Sequence, residues 1–342
     1  MMILKDFVPS VAWVKKVRRG VLVMLIVAVC LLGQAAEVVP IPRDPSFNPE
    51  SAFEKEKKYF PEIELVRSAS PHGILEHADV VYRTLPETPY GKRELRLNVY
   101  RPETSSPGGN PGVIMIHGGG WRSGTKSHMI PLAEQLALRG FVAVPVEYRL
   151  SPEARYPAAV HDVKASIRWL RAHAADYGID VSRMAILGTS AGAQLAALVA
   201  LTNDRPEFEG AGDAAGFSSS VQALINIDGV VSFVHPEAEP EWKGTAASDW
   251  LGARLEESPE LWKEASPLEH VSKEAPPVLF INSSLPRFHA GRDDLLAKLE
   301  EFGVSTRVHT FDKSPHPFWL FRPWFEPTLE QIVGFLEDEL RR

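Results

Sequence analysis

The chain has 342 residues, 44% hydrophobic and 24% charged, with a formal net charge of −7. That is enough for one large α/β domain of ordinary globular composition. The acidic balance argues against non-specific nucleic-acid binding. The single cysteine, Cys30, excludes an intramolecular disulfide and a Cys-rich metal site.

In chain order, the first element is an expected signal peptide over residues 1–36. Lys15, Lys16, Arg18 and Arg19 precede the 12-residue apolar run Val21 to Leu32. Gly33 and Ala35 then fall at the −3 and −1 positions of a cleavage site after Ala35. The run is short for a bilayer span, and an uncleaved anchor is the alternative. Residues 1–36 carry a net +4, so removal leaves a mature chain of net −11 without cysteine. This pattern predicts export to a periplasm or the exterior, with no membrane partner for the mature chain.

Residues 37–62 are rich in proline and charge without a sustained period. They predict a linker or an arm lying on the domain. From residue 63 onward strands and helices alternate. Leu95 to Tyr100, Val113 to Ile116, Phe141 to Val146, Met184 to Leu187, Leu224 to Ile227, Val278 to Ile281 and Arg307 to Phe311 read as strands. Leu132 to Arg139, Val160 to Ala175, Leu295 to Phe302 and Leu329 to Leu340 read as helices, and Gly140 and Gly178 follow the first two. The alternation implies an α/β fold: a mostly parallel central sheet with helices on both faces, and ligands beyond the carboxyl ends of the strands. Residues 203–275 carry one strand among loops and short helices, a partial cap beside the site.

Gly188-Thr189-Ser190-Ala191-Gly192 follows a strand and precedes a small-residue helix. That is the context in which G-x-S-x-G forms a nucleophile elbow, with the Ser190 hydroxyl exposed on a strained turn. About 70 residues earlier, His117-Gly118-Gly119-Gly120-Trp121 closes the Val113 strand. A glycine loop lets backbone N–H groups approach an oxyanion closely. Gly119, Gly120 and Ala191 are the expected donors, each worth on the order of 3 kcal/mol in the transition state. His117 reads as an orienter of the loop. The base is expected late in the chain, at His316, with His289 and His309 as weaker candidates.

The ordered set resembles the α/β-hydrolase superfamily, in its esterase branch with the H-G-G-G loop, over about residues 90–340. Tyr148-Arg149-Leu150-Ser151-Pro152-Glu153, Tyr156-Pro157-Ala158-Ala159 and Asp162 match a further stretch of that branch. The resemblance implies that Arg149 and Asp162 fix a loop beneath the site. One departure concerns the acid. The superfamily's carboxylate usually follows the penultimate strand, but here Val278 to Ile281 runs into Asn282-Ser283-Ser284, and no carboxylate occurs until Asp293. Asp293 and Asp294 suit a helix start instead. Asp228, ending the preceding strand, is the leading candidate. Asp293, Asp312 and a Ser–His dyad remain open.

Arg287, His289 and Arg292 put basic side chains near the expected site mouth, where they could attract an anionic substrate. Trp121 and Trp319 offer faces for sugar rings. Together with Pro315-His316-Pro317-Phe318-Trp319 and Pro323-Trp324-Phe325, this stretch is similar to exported bacterial esterases of plant-polysaccharide breakdown, including pectin methylesterases of α/β-hydrolase fold. The resemblance implies a serine carboxylesterase acting on polysaccharide or oligosaccharide esters, with pectin methyl ester first. Acetyl or feruloyl esters of xylan or pectin are the alternative, and a carbohydrate-binding pseudo-hydrolase is the reading from another class. No metal site and no cofactor are expected.

Overall fold

The computed structural model describes residues 39–212, 214–238 and 246–340. The expected signal peptide lies outside the described residues. Eight strands form the central sheet: β1 Ile74–Leu85, β2 Arg93–Pro102, β3 Asn110–Ile116, β4 Val142–Val146, β5 Ile179–Thr189, β6 Ala223–Ile227, β7 Val278–Asn282 and β8 Thr306–Thr310. Their spatial order is β1-β2-β4-β3-β5-β6-β7-β8. β1 and β2 pair antiparallel, as do β2 and β4, and every pair from β4 to β8 is parallel. Every residue of β3, β4, β6 and β7 is buried. Parallel strands covered on both faces need continuous apolar runs, and these four are such runs.

Side chains alternate across the sheet into two cores. Ile114, Ile186 and Phe280 join one; Val113, Met115, Leu187 and Ile225 join the other. The first is covered by α3 (Ala158–Ala172) and α4 (Ala191–Leu201), which contact each other. The second is covered by α2 (Ile130–Leu138) and a C-terminal helix, α6 (Phe325–Leu340). α5 (Arg292–Glu301) flanks β8.

The segment expected to be a linker or arm is an arm with its own helix, α1 (Pro49–Glu56). Asn48 caps it, accepting from the Ser51 amide while Ser51 Oγ accepts from the Asn48 amide. The arm lies on the second core through Ala52, Phe53, Phe60 and Ile63. Short helices at Pro206–Glu209, Ala246–Leu251 and Pro259–Glu264 fill the region between β5 and β7. Buried Lys164 and Arg168 of α3 bind Glu209 and tie that excursion to the domain.

Candidate active site

Ser190 sits between β5 and α4 with φ 53° and ψ −124°. A non-glycine residue at positive φ is strained, and here the surroundings leave no alternative. A Cβ on Gly188 would lie 2.1 Å from the Gly192 carbonyl oxygen, and one on Gly192 would lie 2.3 Å from that of Ile116. Both flanking glycines are therefore set by crowding. The Ser190 amide donates to the Ile227 carbonyl at 2.8 Å, fastening the elbow to β6.

His316, in the loop after β8, comes within 2.8 Å of Ser190 Oγ through Nε2. Its Nδ1 lies 2.7 Å from Asp228 Oδ2. Asp228 follows β6 at φ 53° and is 1% exposed. The first residue past β7 is Ser283, whose Oγ donates to Asp228 Oδ2 at 2.6 Å and whose amide donates to Oδ1 at 2.9 Å. Sequence reasoning missed Ser283; its small hydroxyl at the acid's usual place was the available signal. Asp293, the alternative acid, pairs with Arg292 in the first turn of α5. His309 stays on β8, edge-on to Phe311.

The imidazole of His316 is held between two rings. Phe288 stacks on it at a centroid distance of 3.4 Å and 8°, and Trp319 meets it edge-on at 5.3 Å. Phe288 carries no sequence signal for this contact, which exists only once the loop after β7 folds over the loop after β8.

Across the nucleophile lies the glycine loop. Gly119 and Gly120 have φ 127° and 60°. A Cβ at Gly119 would lie 2.3 Å from the Ser123 carbonyl oxygen, so this position needs glycine. Gly119 O accepts from the Arg122 and Ser123 amides and from Ser123 Oγ, closing the turn. Ala191 is the first residue of α4, where an N–H has no intrahelical acceptor. His117 is 1% exposed, stacks on Tyr148 at 4.5 Å and donates from Nδ1 to Gly118 O at 2.8 Å. Burial holds its pKa down at about 3, so the ring is neutral. From outside, Asp44 of the arm accepts from Arg122 and bridges Ser123 through its backbone, while Arg43 pairs with Glu147 at 3.3 Å. Arg149 and Asp162 form a bidentate pair at 2.8 and 2.9 Å, joined by Arg83.

A hydroxyl, an imidazole and a buried carboxylate in one hydrogen-bonded line can move a proton off the hydroxyl as it attacks. The BD-FAE family model matches residues 97–286, more than half of the chain. The chain belongs to the BD-FAE family. Among curated relatives, esterase LipQ of Mycobacterium tuberculosis is 34% identical over 201 residues, 57% of this chain and 47% of the relative. The chain spans about half the length of the curated relatives it matches. Two solved structures share the fold. A truncated carbohydrate esterase from gut microbiota has a TM-score of 0.68 at 23% identity, covering 78% of this chain and 97% of that one. Esterase 2 of Thermogutta terrifontis in its apo form has a TM-score of 0.63 at 25% identity, covering 79% and 97%. The fold is thus that of α/β-hydrolase esterases.

The expected substrate-facing residues of this BD-FAE member need correction. Trp121 is 3% exposed, donates to Gln194 Oε1 at 2.9 Å and stacks on Trp250. Its backbone φ of 57° turns the indole inward, so it offers no face to a sugar. Trp319 is likewise buried and packs on His316. Arg292 is spent on Asp293 at 2.8 Å and Asn282 at 3.0 Å. His289 is buried, and desolvation followed by the nearby Arg292 charge lowers its pKa. The basic cluster is therefore not a shared cationic patch. Arg287 alone of the three is exposed, with its guanidinium 4.6 Å from the Phe288 ring centroid.

Proposed function

We propose that this chain is an exported serine carboxylic ester hydrolase that removes small ester groups from plant polysaccharide. The observation that carries the reaction class is the line from Ser190 Oγ through His316 to Asp228. The relatives' names, esterase and carboxylic ester hydrolase, support it. Ser190 Oγ attacks the ester carbonyl carbon while His316 Nε2 takes its proton. The N–H groups of Gly119, Gly120 and Ala191 receive the oxyanion. His316 returns the proton to the departing alcohol, and water then cleaves the acyl-enzyme by the same route. Asp228 orients the ring and stabilises its charged form.

For the ester, O-acyl groups on a neutral backbone, such as acetyl or feruloyl xylan, fit best. The basic cluster that favoured a uronate polymer is largely neutralised from within. The second reading is pectin methyl ester, favoured by exposed Arg287 beside the ring that stacks on His316. Released acetate or ferulate from acylated xylan, and released methanol from methylated pectin, separate the two when each is measured against Ser190→Ala. Ester hydrolysis retained in full by Ser190→Ala would overturn the mechanism. Export rests on residues 1–36 and is tested by sequencing the N-terminus of secreted protein, expected near Ala36.

A further inference from the structure

His316 stands in a loop between β8 and the short helical turn Phe318–Leu320, with a proline on either side. No strand or helix fixes its side chain, which is 19% exposed. Asp228 at 2.7 Å from Nδ1 and Ser190 Oγ at 2.8 Å from Nε2 anchor two sides of the ring. Hydrogen bonds at ring nitrogens run in the ring plane, so rocking of the plane is what they control least. The Ser190 anchor is also temporary. Once an acyl group sits on Oγ, the hydroxyl proton is gone, yet Nε2 must still face the water that cleaves the acyl-enzyme.

Phe288 supplies the missing control. Its ring lies 3.4 Å from the imidazole, centroid to centroid, and 8° from parallel, whereas Trp319 meets the imidazole at 89°. The position of Phe288 is set without His316. Its turn, Pro286–His289, is anchored at both ends on the segment that begins with Asp228. Ahead of the turn, Ser283 binds the Asp228 carboxylate through Oγ and its amide. Behind it, the Ala290 carbonyl accepts from the Val231 and Ser232 amides at 3.0 and 3.1 Å. Within it, the Phe288 amide donates to the Leu285 carbonyl at 3.1 Å. Acid and plate therefore share one frame, and the imidazole is laid against both. The phenyl ring is not open to stack on a sugar, because the imidazole covers one face and the Arg287 guanidinium lies over the ring at 4.6 Å.

We propose that Phe288 is a positioning residue for ester hydrolysis: a preformed plate that fixes the plane of the His316 imidazole. It keeps Nε2 aimed at Ser190 Oγ during acylation and at the attacking water during deacylation. The inference rests on the Ser190–His316–Asp228 reading and adds a residue outside that line on which turnover depends.

The test is steady-state hydrolysis of nitrophenyl acetate and nitrophenyl butyrate by the full chain, with thermal unfolding of each variant. Phe288→Met fills similar space without a planar face. It is expected to lower kcat at least about tenfold, the scale set by misplacing a reacting group. Both half-reactions use the same imidazole, so KM should stay within twofold and the loss should be equal on the two esters. Phe288→Tyr keeps the plane and should remain within threefold of the unmutated chain. If Phe288→Met melts early, Phe288→Leu takes its place, the turn being half-buried and tolerant of a smaller side chain. Unchanged kcat in a folded Met or Leu variant, a loss carried by KM, unequal loss on the two esters, or a Tyr variant as slow as Met each overturns the plate. Ser190→Ala is measured alongside. Hydrolysis retained by Ser190→Ala defeats the triad reading itself, whereas Ser190-dependent turnover indifferent to Phe288→Met defeats the plate alone.

Discussion

The two wings of the site are built on different principles. On one, Ser190 and Asp228 sit at the ends of neighbouring strands β5 and β6, both at φ 53°, and His316 is clasped between Phe288 and Trp319. Backbone geometry, the buried Trp319 and the half-buried Phe288 set these positions. On the other, the outer side of the glycine loop is held by the arm through Asp44–Arg122, 78 residues apart in sequence, and the arm is also tied to the end of β4 through Arg43–Glu147; the Arg122 side chain is 45% exposed. Exposed ion pairs contribute about 0–1 kcal/mol each and weaken with salt. The first wing fails by losing a chemical group; the second fails by loosening.

Substitutions can break that contrast. The largest effect is expected from Ser190→Ala, with ester hydrolysis falling about 10⁴-fold or more and thermal stability little changed, because alanine keeps the Cβ that strains the elbow. Asp228→Asn is next, with kcat lower by about 10²–10⁴-fold; a change under twofold would remove the carboxylate from the first wing.

Acid should expose what burial does to His117. Its pKa of about 3 in the fold lies below its unfolded value. The unfolded chain therefore binds more protons as pH falls. The stability contributed by the neutral buried ring is present above about pH 6.5 and is lost on descent toward pH 3. Between pH 7 and 4.5 this one residue accounts for about 2–3 kcal/mol. Urea unfolding of His117→Gln should show a flatter acid limb than the unmutated chain, and an equal slope would refute the assignment.

Smaller effects separate the wings most cleanly. Ser283→Ala removes one hydrogen bond to Asp228, worth about 1 kcal/mol, and should lower kcat roughly fivefold at any salt concentration. Asp44→Asn should lower kcat about threefold with KM for a small aryl ester within twofold. Salt at about 1 M should impose much of that loss on the unmutated chain and little more on the variant. Equal salt sensitivity in the Ser283 and Asp44 variants would erase the distinction.

The same contrast governs what the amino-acid sequence discloses. The strands from Val113 to Ile281 are buried apolar runs, and the elbow needs its small residues within five positions, so both are legible locally. Asp228 is legible as the carboxylate ending the neighbouring strand. β1 is not, because its register shifts between His77 and Val80 and again between Val81 and Arg83, which breaks the alternation. The arm's helix is eight residues long and mostly polar, though the Asn48 and Ser51 cap was a readable signal. Trp121, Trp319 and Arg292 illustrate a further limit. Residue type reveals that an aromatic or a cation is present, while its direction depends on a backbone twist or on the next side chain. Phe288 on His316 and Asp44 on Arg122 join distant segments, and nothing local encodes them; of the contacts missed, only Ser283 on Asp228 left a local signal.

The placement of Asp228 has a consequence for how this protein can change. Because the carboxylate belongs to β6, the loop after β7 supplies the Ser283 prop at its root and the Phe288 face at its far end, but not the charge on which proton transfer depends. The stretch between them, Ser284 to Arg287, is exposed. Its side chains can be exchanged without removing Ser190, His316 or Asp228, whereas a change of length would move the Phe288 ring that stacks on His316. The carboxylate and the loop that props it are therefore held by different strands, β6 and β7.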